Sequence, residues 1–284
     1  MAPISSARQP VGDRYLRKDV LMAEPILLEN LAWPDISQVR ETSGGLLILP
    51  LGATEQHGPH LPCGMDTLLV EKVCEAASAR TRVPMMSPLR YTVSQGHTTK
   101  WPGTFSLTHF TFIAVIQELA AWAVATGWTR LLLVNSHFGN DAAARVAVDQ
   151  LRLEWIGKLH VGLVHVFKSS EDVWSAYTQD AQDLHANRAE TSLMMHLFPE
   201  LVVSHRVIAS DDPDRTEGCV FSYPVAQTSL NGVTGNPSEA SAGEGAFLFE
   251  KMVDDLCVLL EKAISEEPPL PASHWDDLKK LRDD

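Results

Sequence analysis

The chain lacks most features that would fix its class at once. It has four cysteines in 284 residues, Cys63, Cys74, Cys219 and Cys257, and no two form a CxxC pair. A zinc ribbon or a disulfide-stapled scaffold is excluded, and four reduced thiols in a cytosolic protein are expected. Basic residues are outnumbered 23 to 36, for a formal net charge of −13. Phosphates would be repelled, so no nucleic acid and no membrane is expected as partner. No stretch approaches the roughly 18 consecutive apolar residues of a membrane span. Residues 1–20 lack the apolar centre of a signal peptide, which makes the cytoplasm the expected location. Two catalytic signatures are missing too. No GxSxG sits between a strand and a helix, and no GxxxxGK runs into Ser or Thr.

What the chain does have is alternation. Hydrophobic residues make up 45% and charged ones 21%, enough to fill a core of several layers. Residues 46–49, 84–89, 130–134 and 160–166 are short apolar runs that read as strands buried on both faces. Between and around them, residues 33–41, 111–125, 142–153, 190–197 and 244–264 show helical spacing, and Asp66-Thr67 opens a further helix. Asp66 is also a good N-cap there. Residues 169–184 are polar and irregular. This order predicts an α/β fold with a mostly parallel central sheet covered on both faces. One domain over 25–265 is expected, with a polar amino-terminal arm over 1–24 and a polar tail over 266–284.

In open sheets of this kind, sites form on loops beyond the carboxyl ends of the strands. The loop after residues 46–49 is rich in Gly and Pro and carries Glu55, His57, His60 and Asp66. A second strand-end loop, NSHFGN over 135–140, carries His137. Carboxylates with imidazoles suit Zn²⁺, Mn²⁺ or Fe²⁺ rather than thiolate-loving metals. Each residue alone has an ordinary explanation: Glu55 as a surface charge, Asp66 as a cap, His137 as a loop histidine. Their convergence on adjacent loops argues for a metal site. HANRAETS, residues 185–192, adds His185 in a loop, suited to shuttling a proton, and Glu190 in the first turn of a helix. Glu190 can be read as a ligand or as a surface acid favoured by the helix dipole. Ser94, His97 and Trp101, in the loop over 91–106, can wall a substrate pocket, with Phe138 of NSHFGN as a further expected substrate contact.

Taken in order, GATEQHGPHLPCGMDT (52–67), WPGTFSL (101–107), NSHFGN, HANRAETS and GVTGNPSEASAGEG (232–245) resemble the creatininase family of metal-dependent amidohydrolases. The resemblance implies a three-layer α/β/α sandwich, often assembled as a homohexamer. It implies one or two divalent ions, Zn, Mn or Fe, with Glu55, His57, Asp66 and His137 as ligands, Asp66 bridging, and Glu190 closing the site. It gives His185 the acid/base role and places Ser94 and His97 in the substrate pocket. Creatininase itself has a Glu ligand where this chain has Gly139, a Tyr at Phe138 and a Trp at Ala181. Creatinine is therefore not the expected substrate. The expected activity is hydrolysis of a C–N amide bond in a small cyclic or formyl-amide molecule by metal-activated water. A keto-cyclitol hydrolase on the same centre, or a silent ligand-binding subunit, remains as an alternative.

Overall fold

The computed structural model describes residues 23–274. The arm expected over 1–24 therefore lies almost wholly outside the described residues, and the tail expected over 266–284 is described as far as 274. The helices are α1 (Trp33–Thr42), α2 (Met65–Thr81), α3 (His109–Ala125), α4 (Asp141–Glu154), α5 (Glu171–Tyr177), α6 (Arg188–Leu197), the single turns α7 (Ser204–Val207) and α8 (Val225–Thr228), and α9 (Ala242–Ala263). Strands β1 (Leu46–Leu51), β2 (Arg130–Asn135) and β3 (His160–His165) pair in that order, all parallel. Leu51 is opposite Asn135, and Asn135 is opposite His165. The three carboxyl ends therefore finish level, and their loops leave from one edge.

Strand periodicity divides the interior in two. Leu46 and Ile48 of β1, with Leu132 and Val134 of β2, join α2, α6 and α9 in one core. Leu47, Leu49 and Leu51, with Leu131 and Leu133, join α3 and α4 in the other. The result is the expected sheet between two helical layers. Both faces of β1 are buried along its whole length, whereas β3 is an edge strand and only half-buried.

Three local expectations are corrected. Residues 84–89 run parallel beside β1 but meet it only in isolated bridges, Met85 with Ile48 and Leu89 with Leu51. Pro84 and Pro88 have no amide hydrogen to donate, so a continuous ladder cannot form. Asp66 does not cap α2. The helix begins at Met65, Gly64 takes the cap position, and no side chain caps it. The stretch over 169–184 is not wholly irregular: α5 forms within it because Val173 and Tyr177, four apart, both go into the core.

Among the described residues no helix is long and apolar enough to cross a membrane. All four cysteines are unbridged.

Candidate metal centre

Two loops from the level ends of β1 and β2 are tied together before any ionisable group is considered. Asn140 donates its amide to the Gly52 carbonyl (3.0 Å) and accepts from the Val93 backbone (3.1 Å). Ser136 Oγ donates to the Asp66 carbonyl at 2.7 Å, and Thr67 Oγ1 to the Ala53 carbonyl at 2.8 Å. Asn135 accepts from the His137 amide and donates to its carbonyl at 2.7 Å. These polar side chains satisfy backbone groups that a buried loop would otherwise leave unpaired.

Glu55, His57, Asp66 and His137 meet on this frame, each buried. His137 Nδ1 lies 3.3 Å from Glu55 Oε1 and 3.4 Å from Asp66 Oδ2. His57 Nε2 lies 3.7 Å from Asp66 Oδ1. His185 Nε2 is 3.2 Å from Glu55 Oε1, and His97 Nε2 is 3.1 Å from Glu55 Oε2. The His185 ring lies between those of His57 and His97, with centroids 4.5 and 4.4 Å away.

The ring nitrogens on the far side decide what faces the carboxylates. His57 Nδ1 lies 3.2 Å from the Glu55 carbonyl, His137 Nε2 2.8 Å from the Val93 carbonyl, and His185 Nδ1 2.7 Å from the Gly232 carbonyl. A carbonyl oxygen only accepts, so each of those nitrogens carries the hydrogen. When the rings are neutral, the inward nitrogens of His57, His137 and His185 present lone pairs to carboxylate oxygens. Lone pair against anion is repulsive, and a bound cation or an added proton relieves it. Glu55 Oε2 and Asp66 Oδ2 are buried and accept no well-aligned hydrogen bond. Glu55 Oε1 and Asp66 Oδ2, both facing the lone pair of His137, fit a divalent ion, and the nitrogen-and-oxygen donor set fits Zn²⁺, Mn²⁺ or Fe²⁺. Glu55, His57 and Asp66 form one compact donor group, and Glu55, His97 and His185 another.

The charges are set by the same crowding. Burial pushes Asp66 well above the usual carboxylate range, and the charges of Glu55 and Glu190 add to it. Burial would raise Glu55 likewise, but His137, His97 and His185 together hold it well below. Burial lowers His57 and His97, and proximity to His185 lowers both further. His185 goes the other way. Burial opposes its charge, but the bond to Glu55 and the fields of Glu55 and Glu190 outweigh that and raise it. It is the imidazole of the cluster best able to hold a proton.

Glu190 stands slightly apart. Its Oε2 accepts from the Ala186 amide at 2.7 Å, and Asn187 caps α6 by accepting from the Glu190 amide. Burial is the main cause of its carboxyl being pushed up to about 7. It belongs to neither compact donor group, though its charge acts on Asp66 and His185. His60, a candidate ligand by sequence, turns away. Its Nε2 is 2.8 Å from Thr191 Oγ1.

The expected pocket residues divide. Ser94 Oγ is 3.4 Å from His137 Nε2, and His97 is in the cluster itself. Trp101 is half-buried with Lys100 over its ring. Phe138 stacks on Phe167, centroids 3.9 Å apart, and is 6.3 Å from Tyr177. Gly139 leaves no room for a side chain. A Cβ there would collide with His137 Nε2 and the Val93 carbonyl.

Several contributors were missed in the sequence. Gln56, between Glu55 and His57, was given no role, although an amide beside two donor types is a recognisable signal. Asn135 and Asn140, at the two ends of NSHFGN, were quoted without a role. Tyr177 gave no signal. Its hydroxyl is buried without a partner and feels the charges of Glu190 and Asp66.

Fold and site together define a class: an α/β protein with a buried oxygen-and-imidazole donor set of the metallohydrolase kind, on the carboxyl edge of a parallel sheet. The profile of the creatininase family, described as creatinine amidohydrolase, matches residues 29–260, and the chain belongs to that family as a member other than creatininase itself. It is 34% identical over 247 residues to the mycofactocin precursor peptide peptidase of Mycobacterium ulcerans (strain Agy99), covering 82% of this chain and 90% of the relative. It is 28% identical to the creatinine amidohydrolase of Pseudomonas putida, covering 87% of this chain and 99% of that one. The crystal structure of a creatinine amidohydrolase superposes with a TM-score of 0.75 at 27% identity, over 86% of this chain and 99% of the other. Solved creatininases include a Zn-Zn form and a Mn form. The chain is thus a metal-dependent hydrolase.

Proposed function

We propose that this hydrolase cleaves a C–N amide bond, with a small cyclic or formyl-amide molecule as substrate. Glu55, His57, Asp66 and His137 hold the metal in this reading, Asp66 bridging if two ions bind, and Glu190 closes the site. What carries it is the set of lone pairs on His57 and His137 aimed at the carboxylates of Asp66 and Glu55, with Asp66 Oδ2 left without a hydrogen bond. When bound, a divalent ion supplies an acidified water and polarises the scissile carbonyl. The chain's own groups do the rest. His185, held through Nδ1 by the Gly232 carbonyl, carries a proton on Nε2 and delivers it to the departing nitrogen. Without that proton the amine would have to leave as an anion. Ser94, His97, Trp101 and Phe138 border the substrate. Phe138, Gly139 and Ala181 stand where creatininase uses Tyr, Glu and Trp, which argues against creatinine itself.

A second reading has a specific observation behind it. The 34% identity to a mycofactocin precursor peptide peptidase favours an amide within a peptide substrate. We also propose a homohexamer, on resemblance, and a cytoplasmic location, which four free thiols favour.

The test is metal analysis of purified protein, then turnover of creatinine, cyclic amides, formamides, keto-cyclitols and short peptides. One to two ions per chain with turnover of an amide is the expected result. Protein that binds no divalent ion, or that turns over only the keto-cyclitols, overturns the reading. Light scattering on the same sample checks the hexamer.

A further inference from the structure

By distance alone His97 belongs with the ligands, since Glu55, His97 and His185 are one of the two compact donor groups. Its hydrogen bonds say otherwise. His57, His137 and His185 each have a carbonyl behind the ring. His97 has an amide there: Gln56 Nε2 lies 2.9 Å from His97 Nδ1. The amide's orientation is fixed twice over by backbone groups of known polarity. The Gly58 amide donates to Gln56 Oε1 at 2.9 Å, and Gln56 Nε2 donates to the Gly232 carbonyl at 3.1 Å. The end of Gln56 that faces His97 is therefore NH₂, which only donates. His97 Nδ1 must accept, its hydrogen sits on Nε2, and Nε2 is the atom 3.1 Å from Glu55 Oε2.

We propose that Gln56 is a positioning residue that sets the tautomer of His97. His97 then offers Glu55 an N–H instead of a lone pair and stays out of the ligand set. The consequence is a division of labour around one carboxylate. Glu55 Oε1 faces His137 and His185 at 3.3 and 3.2 Å. Glu55 Oε2 faces the N–H of His97 at ion-pair range without a well-aligned hydrogen bond, and so keeps a free lone pair. An N–H on one side steadies the carboxylate and leaves the other directions to a cation.

Gly232 is the hinge of the arrangement. Its single carbonyl accepts from both Gln56 Nε2 and His185 Nδ1 (2.7 Å), so one backbone oxygen orients the amide behind one imidazole and fixes the tautomer of the other. The residue has φ +88°, and a Cβ there would collide with the Gln56 side-chain amide, so only glycine fits.

The inference rests on the metal-centre reading for the meaning of the ligand set, but its test is separable. In protein labelled in the histidine ring nitrogens, magnetic resonance reads each tautomer directly, with and without metal. The metal-free wild type should show the Nε2–H form at His97. On loading a spin-active isotope of cadmium, coupling should appear at His57 and His137 and not at His97. In Gln56→Glu the carboxylate accepts from His97, and the tautomer should reverse to Nδ1–H. Cadmium affinity should then fall roughly 10–100-fold, the usual effect of changing a partner of the ligand shell. Gln56→Met keeps the volume and loses the donor, and should give a mixture of tautomers. An Nδ1–H form in the wild type, cadmium coupling at His97, or an unchanged tautomer in both variants overturns the proposal. If no cadmium binds at all, the metal-centre reading fails, while the tautomer of the metal-free protein still decides the role of Gln56.

Discussion

The carboxyl ends of β1 and β2 and that of β3 are level in the sheet but chemically unlike. Beyond β1 and β2 stand two carboxylates and two imidazoles in a buried polar frame. Beyond β3 the chain turns aromatic. His165 Nε2 pairs with Asp141 at 2.8 Å on the surface side, and Phe167 stacks on Phe138 within the core. β1 and β2 have a strand or an extended segment on both sides, so their end loops are buried and can be held by backbone contacts. β3 is an edge. A donor placed there would be half in water, where charge interactions are weak. The sheet thus assigns ionic work to its interior strands and packing work to its edge.

Breaking the ionic half should have the largest effect. Asp66→Ala removes an oxygen donor that touches both His57 and His137, and should abolish metal binding and turnover with the fold intact by circular dichroism. Full metal content in that variant would remove Asp66 from the centre. His185→Ala should keep its metal while turnover drops about 10²–10⁴-fold, the usual range for a lost proton-transfer group. Unchanged turnover would end its acid/base role.

Breaking the packing half should cost stability and leave the metal in place. Phe167→Ala deletes a buried ring stacked on Phe138 and should destabilise by about 3–5 kcal/mol in urea unfolding. If metal is lost first as urea rises, the two regions are coupled and the contrast is too sharp.

A pH titration sharpens the boundary between them. Burial lowers His60 to about 4, so it stays neutral in the folded chain while an unfolded histidine protonates near 6.5. Between those values the unfolded chain binds more protons, so stability falls as the pH drops through the window, by up to ~3 kcal/mol near pH 4. His60→Gln should flatten that part of the curve. An equally steep curve would place the acid sensitivity elsewhere.

The smallest effect is expected at Tyr177→Phe. A buried hydroxyl without a partner is a cost, so its removal should leave stability the same or raise it by about 1 kcal/mol. A loss above that would mean the hydroxyl has a partner in solution.

Legibility in the sequence followed the same division. Strand β1, NSHFGN and the donor-bearing loop after β1 were legible as elements because unalternating apolar runs, glycines and paired donor types leave local marks. Residues 84–89 looked like a strand because burial, which the apolar run reports, and ladder pairing, which Pro84 and Pro88 prevent, are separate properties. Asp66 looked like a cap because capping and ligation favour the same residue at the same place, and only the helix start at Met65 separates them. His97 looked like a pocket wall because its neighbours Gln56 and Glu55 come from a distant loop. A tautomer depends on what lies behind a ring, which no spacing rule reports. Tyr177 was missed for the same reason.

Gly139 ties the aim of His137 to a position that admits no side chain. The hydrogen bond that aims His137, from Nε2 to the Val93 carbonyl, fills the volume a side chain at 139 would need. Any side chain at 139 would therefore push His137 away from the two carboxylates it faces, Glu55 and Asp66.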